Sequence, residues 1–233
     1  MTLFAILALG FFLGMRHATD SDHVIAVTTI VSRERSPRAA LWIGALWGLG
    51  HSATILTVGG AIVLFGWVIP PRLGLSMEMS VAVMLIVLGA MNLSGVLSHI
   101  NRLAHRHQHD ENLDDAPLPH IHVRGPWRPL TIGVVHGLAG SAAIALLVLA
   151  TIKSASMALL YLAVFGVGTV AGMMLLTFAM SLPISALSQR FQHAQHLVAR
   201  ATGLVSLGFG LFLAYQIGIN GGLLLGTPQW SPH

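Results

Sequence analysis

Six long apolar stretches, roughly 2–32, 40–69, 77–98, 129–152, 157–182 and 201–224, alternate with short polar connections along the chain. Each supplies the about 20 apolar residues that a helix needs to cross a bilayer. The pattern predicts an all-α, polytopic integral membrane protein with about six transmembrane helices. The first stretch is too long for one straight helix rising about 1.5 Å per residue, and "MRHATDSDHV" at 15–24 interrupts it with five ionisable side chains. A break in the first helix near residues 14–23 is therefore expected.

The two halves of the pattern resemble each other. "GMRHATDSDHVIAV" from Gly14 aligns with "GVVHGLAGSAAIAL" from Gly133, and "ALWIGALWGLG" from Ala40 aligns with "ALLYLAVFGVG" from Ala158, at a steady offset of 118 or 119 residues. Three spans per copy force the second copy upside down, which gives a 3+3 inverted repeat. That is a transporter architecture, with its site near the midplane at the repeat interface. The predicted organisation is a first membrane repeat over 1–98, a His-rich loop over 99–128 and a second membrane repeat over 129–233.

Composition agrees with membrane residence. Of 233 residues 55% are hydrophobic and 9% charged, with mean hydropathy +0.77, where a soluble domain carries about 25% charged residues. The formal charge of +4 then reads as an orientation signal, and nucleic acid is not an expected partner. Arg33, Arg35, Arg38, Arg102, Arg106, Arg124, Arg128, Arg190 and Arg200 lie in one set of connections, against Arg72 and Lys153 in the other. The expectation is a chain integral to a bacterial inner (cytoplasmic) membrane, with the 99–128 loop in the cytoplasm and both termini outside. No basic segment precedes the first apolar run, so a cleaved signal is not expected. Cysteine is absent, which excludes disulfides and thiolate ligands.

Charged groups at the centre of a membrane helix cost roughly 2.5–3.5 kcal/mol each and usually mark an ion pathway. Imidazole and carboxylate without thiolate suit borderline divalent metals; proton relay uses the same groups. His17 and Asp20 share a helical face while Asp22 and His23 point elsewhere. An unbroken helix cannot aim His17, Asp22 and His23 at one ion, so local unwinding over 17–23 is predicted. A structural alternative pairs Arg16 with Asp20. His51 in "GLGHSATI" and His136 in "VVHGLAGSAA" also lie inside spans. His51 is a ligand candidate; His136 is a weaker one, because no carboxylate lies beside it in sequence.

"RHATDSDH" resembles the signature of the nickel/cobalt transporter family, a histidine, four residues, then Asp-His, and "LGHSATI" is similar to that family's second motif. The resemblance covers about the first quarter of the chain. It implies metal ligation by His17, Asp22, His23 and His51, with Asp20 at the family's inner acidic position; beside it, the residues themselves suggest Asp20 and Arg16 as groups that balance charge and orient ligands, with His136 a lesser candidate. The resemblance also implies high-affinity uptake of Ni2+ or Co2+ as transported substrate, with no permanently bound cofactor. The second half lacks the family's acid-ending motif, and the chain is more similar to a shorter, UreH-like branch of urease accessory membrane proteins.

The expected function is a secondary permease for Ni2+ or Co2+. A nickel exporter and a non-transporting accessory protein of urease or hydrogenase maturation are the alternatives. An intramembrane metalloenzyme is disfavoured because "HExxH" and "GxSxG" are absent, so enzymatic activity is not expected. Loop residues 99–122, "HINRLAHRHQHDENLDDAPLPHIH", are either a metal-collecting tract facing cytoplasmic nickel chaperones or a solvated tether. The stretch 185–200 reads as a short interfacial helix. Trp42, Trp47 and Trp67 read as interfacial anchors or packing.

Overall fold

A computed structural model describes residues 3–32, 34, 36–66, 69–94, 127–138, 152, 154–190 and 192–230. Every regular element among them is helical. These are α1 (Leu3–His17), α2 (Ser21–Val31), α3 (Pro37–Phe65), α4 (Pro71–Leu93), α5 (Trp127–His136), α6 (Ala155–Arg190) and α7 (Gln192–Tyr215), the last closing in a π-helical turn (Gln216–Asn220). Single helices α3, α4, α6 and α7 are long and apolar enough to cross a membrane, and α1 with α2 forms a pair bent by 55°, the shape of a broken span or a re-entrant loop. Four candidate crossings are thus described, or five with the bent pair counted as one. The fourth predicted span, 129–152, is described through α5, residues 137–138 and residue 152, and residues 139–151 lie outside the described ones, as does the His-rich loop up to residue 126.

The break between α1 and α2 follows from its residues. The Thr19 amide and hydroxyl both donate to the Arg16 carbonyl, at 2.8 and 2.6 Å, and the Asp20 amide donates to the His17 carbonyl at 3.1 Å. Asp20 then turns extended, with φ −61° and ψ 149°, and its carbonyl accepts from Val24 N to start α2. Its carboxylate does not take the usual capping role at the new N-terminus, because it accepts from His17 Nδ1 at 2.8 Å instead. The start of α3 is conventional: Ser36 caps it, Pro37 occupies its first turn, and Gly66 at φ 62° ends it.

Packing is dominated by α6, which lies parallel to α1 on one side and antiparallel to α3 on the other. Contacts come in reciprocal pairs. Gly14 rests on the Phe165 carbonyl and Gly133 on the Trp47 carbonyl; Gly168 rests on the Phe11 carbonyl and Gly50 on the Leu130 carbonyl; Ser52 meets Gly166 and Gly48 meets Val170. Members of each pair are exchanged by a shift of 118 or 119 residues. Small residues at these points let backbones approach closely, which is how helices associate without a hydrophobic driving force. The second bundle face joins α4 to α7, where the Asn92 amide donates to the Ala199 carbonyl at 2.8 Å and lies 3.4 Å from the Thr29 carbonyl of α2. Beyond the π turn the chain folds back, and the Trp230 indole donates to Glu78 at 2.8 Å on α4.

Several connections differ from expectation. The fifth span is a 36-residue helix that contains Pro183 and runs well past residue 182, and α7 begins at Gln192, so the 185–200 stretch belongs to both helices. Trp47 is fully buried and is a packing residue; Trp42 is half exposed, and Trp67 lies outside the described residues.

Candidate metal centre

Four helices bring four histidines together. His17 ends α1, His23 lies in the first turn of α2, His51 is the central residue of α3, and His136 ends α5. His23, His51 and His136 are completely buried, and His17 is 6% exposed. Two donor triads result, each with ligand atoms within 4.8 Å of one another: His17, His23 and His51, and Asp22, His23 and His136. His23 belongs to both.

Hydrogen bonding fixes which nitrogen of each neutral ring carries the proton, an assignment that follows from the network. An ionised carboxylate only accepts. His17 Nδ1 therefore donates to Asp20, His23 Nδ1 donates to Asp22 Oδ1 at 3.1 Å, and His136 Nε2 donates to Asp22 Oδ2 at 2.9 Å. His17 Nε2 is left as an acceptor, so His51 Nε2, 3.0 Å away, donates to it. Bare lone pairs remain on His23 Nε2, His51 Nδ1 and His136 Nδ1. All three atoms are buried without a hydrogen-bond partner among the described residues. Buried polar atoms are rarely left so, and one unpartnered group costs about 1–3 kcal/mol. Each triad, three imidazoles in one and two imidazoles with a carboxylate in the other, is a donor set suited to a divalent transition metal.

Each predicted residue can now be located. His17, Asp22, His23 and His51 converge, with His17 and Asp22 in different triads that share His23. Asp20 is partly exposed and orients His17. Arg16 is exposed, and no ion pair to Asp20 forms among the described residues. His136, the weaker sequence candidate, sits in the cluster, and its carboxylate partner comes from Asp22, 114 residues away. Trp47 and Phe165 also touch the cluster. Trp47 packs on His23 and His136, and Phe165 packs on His17. The Gly-x-x-His spacing shared by Gly14–His17 and Gly133–His136 is the signal that points to their seats.

A family model described as cytochrome C biogenesis protein transmembrane region matches residues 23–212. The chain is similar to the urease accessory protein UreH of Bacillus sp. (strain TB-90), 37% identical over 223 residues that cover 95% of each chain. It is also 27% and 26% identical to the Arabidopsis thaliana chloroplast proteins FOR GROWTH AND FERTILITY 2 and 1, over 87% of its own length but only 54% and 56% of theirs. No solved structure matches.

Proposed function

The chain belongs to the family of the urease accessory protein UreH, within the cytochrome C biogenesis transmembrane family, and from that premise we propose that it is a secondary transporter carrying Ni2+ or Co2+ across the cytoplasmic membrane. The observation that carries this reading is the pair of donor triads, His17–His23–His51 and Asp22–His23–His136, that share His23 and leave buried nitrogens of His23, His51 and His136 unpartnered. His17, Asp22, His23 and His51 would hold the ion, joined by His136, and ligation by His17 Nε2 would displace the proton that His51 donates to it. Asp20 would keep His17 in its tautomer. Carboxylates that orient imidazoles in this way typically set metal affinity.

The direction proposed is inward. By the positive-inside rule the arginine-rich 33–38 and 99–128 segments would face the cytoplasm, where a histidine-bearing loop would receive the ion. The reciprocal contacts between Gly14, Phe165, Gly133 and Trp47 support an inverted repeat with the site at its interface. The name of the relative from Bacillus sp. favours a second reading, an accessory protein that hands nickel to urease maturation without moving it across the membrane.

Radiolabelled nickel accumulation in cells tests both, with wild type beside His17→Ala and Asp22→Asn at matched membrane levels. Accumulation that both variants lose is the expected result. Accumulation below the empty-vector level would make the chain an exporter. No change for any of the three, together with no uptake by the purified chain in liposomes, would leave the accessory reading.

A further inference from the structure

The histidine cluster has a large aromatic ring at each end. The Phe165 ring lies against His17, with centroids 5.6 Å apart, and the Trp47 ring lies against His23 and His136, at 6.2 and 5.5 Å. Between them the imidazoles run from His17 through His23 and His51 to His136, with neighbouring centroids as close as 4.1 Å. Helix geometry gives the row a direction. The Ser52–Gly166 contact between antiparallel α3 and α6 puts Phe165 beside residue 53 of α3. That is about 9 Å along the axis from Trp47, and His51 falls between. Trp47 therefore stands on the side of the cluster facing the 33–38 connection, and Phe165 stands on the opposite side.

The two rings have equivalent seats. Gly14 presses on the carbonyl of Phe165 one turn before His17, and Gly133 presses on the carbonyl of Trp47 one turn before His136. A Cβ at either glycine would collide with that carbonyl oxygen, so backbone contact clamps each aromatic residue and leaves side-chain rotation as its freedom to move. The Trp47 indole N–H has no acceptor among the described residues, so swinging it out breaks no hydrogen bond. The same unit, a Gly-x-x-His helix seated on an aromatic residue of a long helix, thus occurs at both ends of one sealed cluster.

We infer that Trp47 and Phe165 are the paired gates of this site. Trp47 closes the path to the face carrying 33–38, and Phe165 closes the path to the opposite face. This rests on the transporter reading, in which the site opens to one side at a time. Symmetry-related elements of an inverted repeat do equivalent work on opposite faces.

The chain has no cysteine, so an introduced thiol is the only one present. His51→Cys places that thiol in the centre of the cluster. Labelling by a membrane-impermeant maleimide is followed in right-side-out and everted vesicles. The reporter alone should label slowly from both faces. Adding Trp47→Ala should raise labelling from the 33–38 face about tenfold or more, a barrier lower by about 1.4 kcal/mol, and leave the other face unchanged. Adding Phe165→Ala should do the reverse. Fast labelling of the reporter alone, a rise at the same face for both variants, equal rises at both faces, or no rise would each overturn the proposal. A His136→Cys reporter carries the same test should His51→Cys fail to accumulate. Labelling needs no nickel, so the gates can fail while nickel accumulation persists, and the converse.

Discussion

Asp22 holds two imidazoles on one carboxylate, one from its own helix turn and one from α5. Because it only accepts, it forces both rings to turn a bare nitrogen away from it. Asparagine keeps the shape but presents an N–H to one ring, which must then switch tautomer and lose its free lone pair. Asp22→Asn should therefore weaken nickel binding by at least the about 10–100-fold typical of losing a carboxylate that orients ligands, since it also takes the charge from a proposed ligand. Calorimetric titration of the purified protein in detergent would show it, and an unchanged affinity would refute the role. His17, Asp22 and His23 are legible in the sequence because charge inside an apolar run is costly. His136 is hard to read for a physical reason: the group that gives it purpose is brought to it by tertiary packing. Trp47 is harder still, since an indole near a helix end looks the same in sequence whether it anchors at an interface or packs on imidazoles.

At the level of elements, the break between α1 and α2 was readable from span length and from the polar cluster, and it falls at residues 18–20. Lengths were less readable. Nothing between 183 and 200 is apolar enough to demand lipid, yet backbone hydrogen bonding keeps α6 helical to Arg190 despite Pro183. A proline inside a membrane helix is tolerated where neighbouring groups satisfy the freed carbonyl. The close seats of α1 and α5 make a sharper claim. A methyl group at Gly14 or Gly133 would meet the Phe165 or Trp47 carbonyl, whereas one at Gly208 would meet nothing within 4 Å. Gly14→Ala and Gly133→Ala should each destabilise by at least the about 1–3 kcal/mol typical of overpacking. Gly208→Ala should be neutral or gain up to about 1 kcal/mol from helix propensity. Thermal melts of the detergent-solubilised protein decide it: similar melting temperatures for all three variants would mean the helices do not approach as closely as described.

For the whole molecule, the charge pattern and the sealed cluster combine into an energetic argument. The site lies at the midpoint of α3 and at the break between α1 and α2, so in the proposed carrier an ion bound there would stand about halfway along the crossing. The offset of 118 or 119 residues is legible in the sequence as small residues at matching positions; which contacts those residues make is visible only in three dimensions. A carrier of the proposed kind draws on gradients. Moving a 2+ ion down 100 mV is worth about 4.6 kcal/mol, twice the single-charge value, which allows accumulation of about three orders of magnitude. Proteoliposomes holding the purified chain, with an inside-negative potassium diffusion potential set by valinomycin, should accumulate nickel above the external concentration. With the potential at zero, nickel should only equilibrate. His17→Ala should abolish the voltage-driven component. Nickel entry that ignores the potential would instead require that the two charges be compensated, two protons leaving for each ion entering, and the histidine–carboxylate row would then serve as the path for both.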